Sequence, residues 1–152
     1  MKQVNWLFAI VVIGFLTACE TNKTAQANPL IGTWQLQTGT LVEKGDTTIT
    51  DYTTGKKFIK VINGSHFTFL SHDLNKVADS TSYFSAGGGS YKLKDSTYTE
   101  HLEFCSDRAW EGHDFPFTIT ISGDTLVQRG VEIVESKGIN RLNIERYVRI
   151  KE

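Results

Sequence analysis

Phe115-Pro116-Phe117-Thr118-Ile119-Thr120-Ile121-Ser122 alternates apolar and polar residues, breaks at Gly123-Asp124, and is followed at once by a second such run from Thr125. Alternation with a period of two marks a strand with one buried face, and a short break of turn residues between two such runs marks a hairpin. Working outward from this hairpin, the same grammar extends in both directions. Strands are predicted over 32–38, 47–52, 57–62, 66–72, 81–85, 89–93, 97–105, 115–122, 125–135 and 140–151. Lys44-Gly45-Asp46, Asn63-Gly64-Ser65, Lys94-Asp95-Ser96 and Lys137-Gly138 separate them with residues that tolerate positive φ or bond to their own backbone. No long helical stripe interrupts the series. The expected fold is all-β, an antiparallel up-and-down barrel of about 8–10 strands, because closure removes edges that would otherwise template aggregation.

The chain has 152 residues, 39% of them hydrophobic and 22% charged, with a net charge of -1. It is the size of one ordinary domain. It has neither the high charge and low apolar content of a disordered chain nor the basic stripe of a nucleic-acid binder. Gly87-Gly88-Gly89 lies between two predicted strands and reads as a bend or close backbone crossing, since a phosphate cradle would need a helix opening after it.

Upstream, Lys2 precedes an apolar run from Trp6 to Leu16, long enough for a signal-peptide core and too short to cross a bilayer. Leu16-Thr17-Ala18-Cys19 then resembles the lipobox of bacterial lipoproteins, which implies a signal peptide over 1–18 and lipidation of the Cys19 thiol. The polar stretch of 19–29 is expected to be a lipidated cysteine and tether, leaving 30–152 as the folded domain. Removing 1–18 takes Lys2 and no acid, so 15 basic residues face 17 acidic ones in the mature chain. Cys105 is then left without an intrachain partner and reads as a buried filler. Membrane attachment through Cys19 in a bacterial envelope, most naturally the outer membrane, is the expected location. The mature charge gives no reason to seek nucleic acid.

Asn28-Pro29-Leu30-Ile31 has the form of a short helical turn capped by Asn28, and Gly32-Thr33-Trp34 opens the first strand. A Gly-x-Trp in this setting resembles the signature of lipocalin-like (calycin) barrels, as found also in lipoprotein domains of bacteria. The resemblance runs over roughly 30–151 and implies that an arginine of the last strand stacks on Trp34 and reaches carbonyls of the opening turn. Arg146 is the best match, with Arg149 and Arg141 weaker, because Leu142, Ile144, Arg146, Val148 and Ile150 share a face. An ordinary core role for Trp34 is the alternative.

The resemblance also implies a ligand cavity. The inward rows are expected to be Tyr98, Glu100, Leu102 and Phe104 on one strand and Phe117 and Ile119 on another, with Phe67, Phe69 and Tyr91 completing the wall. Glu100 in that setting requires either a raised pKa or a cation such as Lys60 or Arg146, and could anchor a polar ligand group or be satisfied structurally. Arg146 is counted with the ligand-facing residues. Trp110, in a polar loop over 106–114, either takes part in recognition or caps a barrel end. His66, His72, His101 and His113 are scattered, and no metal or cofactor is implied. No nucleophile elbow, phosphate loop or zinc-protease motif is present. The leading expectation is a lipid-anchored barrel that sequesters a small apolar or amphipathic molecule. A filled barrel binding a protein or glycan through its loops is the alternative, and a small hydrolase or isomerase using Glu100 is the weaker one.

Overall fold

The computed structural model describes residues 28–74 and 82–151. The expected signal peptide, Cys19, most of the tether and the first residue of the predicted 81–85 strand lie outside them. Among the described residues nine strands follow in chain order: β1 (Gly32–Glu43), β2 (Asp46–Asp51), β3 (Lys56–Ile62), β4 (His66–Asp73), β5 (Phe84–Lys94), β6 (Thr97–Cys105), β7 (Asp114–Ser122), β8 (Thr125–Val134) and β9 (Ile139–Arg149). Every pairing is antiparallel, β3 to β9 pair in sequence, and β1 pairs with both β3 and β9. This closes an eight-stranded up-and-down barrel, the all-β architecture expected from the alternation. β2 stands outside the ring: it pairs with Thr38–Glu43 of β1, above the Gly32–Gln35 stretch that β3 occupies. Lys44 and Gly45 both have positive φ in the connecting turn, 52° and 89°, as a tight hairpin requires.

Two predicted strands, 81–85 and 89–93, are one strand. The glycine triplet lies inside β5 rather than between strands, and the reason is crowding. A Cβ on Gly88 would sit 2.6 Å from the Phe67 carbonyl oxygen, and one on Gly89 2.0 Å from that of His101. The close backbone crossing read from the triplet is therefore present, but it continues the ladder instead of interrupting it.

Opposite Gly88 and Gly89 the register of β6 slips: Phe104 pairs with Gly88 and Leu102 with Gly89, leaving Glu103 as the extra residue of a bulge. Tyr98, Glu100 and Leu102 point inward as expected. Beyond the bulge the phase reverses, so Phe104 is 69% exposed on the outer wall and Cys105 turns toward the interior. The assignment of Phe104 to the inner wall is thus corrected, and a one-residue slip in register is its whole cause.

The last strand needs a similar correction. In β9, Asn143 and Tyr147 are buried while Arg146 is exposed, so the inward row is Arg141, Asn143, Glu145, Tyr147 and Arg149. Arg149, not Arg146, closes the base of the barrel. Its guanidinium lies 4.0 Å from the centroid of the Trp34 ring and donates to the carbonyls of Ile31 (2.7 Å) and Pro29 (2.5 Å). The Trp34 indole donates to the Leu30 carbonyl at 2.8 Å, and the Asn28 side chain caps the turn by accepting from the Leu30 amide at 3.0 Å. Leu30 and Trp34 are completely buried. Above this plug, Phe67, Tyr98, Phe117, Leu126 and Tyr147 fill the lower half of the barrel.

Candidate functional site

The upper half of the barrel is open. A cavity of about 370 Å³ enters from the end where β1 leads into β2, β6 into β7, and β8 into β9. One flank of its wall is aromatic and comes from the β2–β4 side: Tyr52 meets Phe58 edge-on at 5.8 Å, and Phe58 stacks on Phe69 at 5.6 Å. From the β6–β7 side, Trp110 packs on Phe115 at 5.7 Å. Trp110 belongs to a single 3₁₀ turn, Arg108–Trp110, capped by the Asp107 carboxylate, which accepts from the Ala109 amide. Asp107 is in turn paired with Lys137, Arg108 with Glu111 at 2.6 Å, and Glu111 accepts from the Cys105 amide at 3.0 Å. The loop that places Trp110 at the mouth is thus tied at several points.

The floor and remaining wall are polar. Lys60 Nζ lies 2.6 Å from the Glu100 carboxylate, 3.2 Å from Gln128 Oε1 and 3.9 Å from Glu145, with the rings of Tyr147 and Phe67 at 5.4 and 5.7 Å. Glu132 accepts from Arg141 Nε at 2.7 Å and from Asn143 Nδ2 at 2.8 Å. The Arg141 guanidinium lies 5.1 Å from the centre of the Trp110 ring, joining this pair to the mouth. Glu145 accepts from the Tyr147 hydroxyl at 2.8 Å. The Ser71 hydroxyl and Gln128 Nε2 are buried without a hydrogen-bond partner.

These surroundings set the ionisation. Burial pushes Glu100 above the ordinary glutamate value and Glu145 adds to it, against the pull of Lys60. Burial opposes the Lys60 charge, but Glu100 and Glu145 more than offset it, so the ammonium is held above the ordinary lysine value. Burial raises the Tyr98 and Tyr147 hydroxyls, which remain neutral donors. Burial likewise raises Glu132, with Arg141 pulling the other way. The Cys105 thiol is raised mainly by burial, which makes it a poor nucleophile.

The direction of the Glu132 shift has a measurable consequence. The folded protein holds this proton over a pH window above the ordinary value of 4.5 where the unfolded chain has released it. The group's contribution is therefore complete below 4.5 and is lost as pH rises through the folded value. Wild type is expected to lose stability relative to Glu132→Gln across that window, by at most about 1.4 kcal/mol per pH unit. Parallel urea melts from acid to neutral pH check it; a difference that grows in the opposite direction would mean that Arg141 dominates.

Of the residues expected to face a ligand, Phe69 and Leu102 line this cavity. Phe67, Tyr98, Glu100, Phe117 and Ile119 point inward but are packed in the core. Tyr91 belongs to the base: its hydroxyl donates to the Asn63 carbonyl at 2.7 Å and accepts from Asn28 at 3.1 Å. Phe104 and Arg146 face outward. Sequence reading passed over Tyr52, Phe58, Glu132, Asn143 and Glu145 as cavity residues. The alternation of Arg141, Asn143, Glu145 and Tyr147 was a usable signal, but its polar character assigned that row to solvent. His101 pairs with Asp114 at 2.7 Å outside the barrel, and among the described residues no three His, Cys, Asp or Glu side chains gather as metal ligands do.

The geometry defines a small barrel with a plugged base, a packed lower core and a half-polar cavity at its open end. No known protein family's profile matches the chain, and no curated protein matches it significantly.

Proposed function

We propose that this chain is a lipid-anchored lipoprotein of a Gram-negative envelope, most naturally of the outer membrane, whose lipocalin-like barrel binds a small amphipathic molecule. The observation that carries the binding role is the cavity of about 370 Å³, with aromatic walls at the mouth and hydrogen-bonding groups below. Ligand sites of this kind are concave, largely apolar and furnished with a few convergent polar groups. The lipocalin-like reading draws support from the eight-stranded closed ring and from the Trp34–Arg149 closure at its base. The anchor rests on Leu16-Thr17-Ala18-Cys19.

Chemistry at Glu100 has less support. Its carboxylate is engaged by Lys60 below the cavity floor, and a general base must reach the proton it removes. The filled-barrel reading suits only the lower half.

Native mass spectrometry of the protein isolated from its own host tests both parts. The expected mass is that of a chain beginning at Cys19 and carrying acyl groups, with a further adduct of defined small mass lost on collisional activation. A bare polypeptide with an unprocessed N-terminus overturns the anchor, and the absence of any adduct at saturating host extract overturns the binding role.

A further inference from the structure

We propose that the ligand carries a protonated amine or quaternary ammonium group on a small apolar body, with Glu145 as its counter-ion. The proposal rests on the cavity being a binding site and names the charge that the site selects. Lys60 and Arg141 are the cations of the cavity wall, and Asp107, Glu132 and Glu145 its acids. Each of these but one has a close partner of its own. Arg141 is taken by Glu132, Asp107 by Lys137, and Lys60 by Glu100 at 2.6 Å. Glu145 shares only the far side of Lys60, at 3.9 Å, and otherwise accepts a neutral hydroxyl from Tyr147. Among the described residues it is the wall carboxylate without a dedicated cation, and it is centrally placed: its field adds to the rise that burial causes in the pKa of Tyr52, Glu132 and Glu100, on three different strands or their ends.

A further observation points the same way. The mouth is walled by Tyr52, Phe58 and Phe69 on one flank and by Trp110 and Phe115 on the other, and aromatic faces around a carboxylate are the surroundings that retain organic cations. An anionic ligand has less to meet, since both wall cations are already neutralised at 2.6–2.7 Å.

Four probes with the same chain test this on the full-length protein by calorimetry: hexyltrimethylammonium, hexylamine, hexanoate and hexanol. The expected result is that both cations bind at least about tenfold more tightly than hexanol and hexanoate, and that Glu145→Gln removes the advantage. Glutamine keeps an acceptor for Tyr147, and a thermal melt verifies its fold; should it not fold, the ranking on the unaltered protein decides alone. Hexanoate or hexanol binding as tightly as the cations overturns the charge assignment and leaves the binding role standing. Binding by none of the four overturns the charge assignment, while the host-derived adduct separately decides the binding role.

Discussion

Replacing Lys60 with methionine is expected to lower folding stability by about 3–5 kcal/mol at neutral to alkaline pH, the largest effect of any single charge in the protein. Lys60 is 2% exposed and Glu100 7%, so neither can turn to water when the other is removed. With methionine in place, the Glu100 carboxylate is left in the barrel with no cation in contact, since Arg141 is committed to Glu132. The loss is expected to shrink in acid, because burial already raises the Glu100 pKa and a protonated carboxyl needs no counter-charge. Lys60→Met/Glu100→Leu is expected to recover most of the stability, as buried ion pairs exchanged for apolar groups of similar volume commonly do. Urea titrations of the two single variants and the double variant supply the cycle. A loss below about 1 kcal/mol for Lys60→Met, or one that does not depend on pH, would show that Glu100 is solvated.

The second large effect belongs to the barrel base. Trp34→Ala is expected to cost about 3–5 kcal/mol, as removal of a wholly buried indole generally does. Here it also strands the Leu30 carbonyl and the Arg149 guanidinium that stacks on the ring. Arg149→Ala is expected to cost about 2 kcal/mol, since it removes two charge-assisted hydrogen bonds to Ile31 and Pro29 whose carbonyls lie near water. Arg146→Ala, three residues earlier on the outer face, is expected to change stability by no more than about 0.5 kcal/mol. The order of these variants in thermal melts is the check. Arg146 exceeding Arg149 would reverse the assignment of the two faces of β9.

That assignment shows how far residue patterning reaches. Strand positions were legible almost throughout, because nearly every turn is marked by Gly, Asn, Asp or Lys and every hairpin is local. The identity of the inward face was legible where the interior is apolar, as for Phe115, Phe117 and Ile119 in β7. It was misread in β9, where the interior row is Arg141, Asn143, Glu145, Tyr147 and Arg149 and the outer row carries Leu142, Ile144 and Val148. An alternating strand specifies two faces but not which one is enclosed; only its neighbours decide that. The cavity followed the same rule. That Glu100 needs a cation was legible from patterning, with Lys60 and Arg146 as candidates, because an isolated buried carboxylate is costly, and the folded barrel supplies Lys60. Tyr52 could not be placed, because it follows β2, which leaves the ring, and its position depends on the way that strand lies along β1.

The all-β class and the up-and-down order of hairpins follow from local alternation and from turns of a few residues, whereas the Trp34 start of the barrel was readable only through the resemblance of its Gly-x-Trp. Only the tertiary structure decided that Phe104 and Arg146 face outward, that Arg149 closes the base, and that the upper barrel is an open half-polar chamber centred on Glu145. A single bulge at Glu103 inverts every side chain beyond it, and ring closure between β1 and β9 brings together residues over a hundred positions apart, as Arg149 and Ile31 are. Such placements depend on register and closure, which are properties of the whole ladder rather than of any one strand.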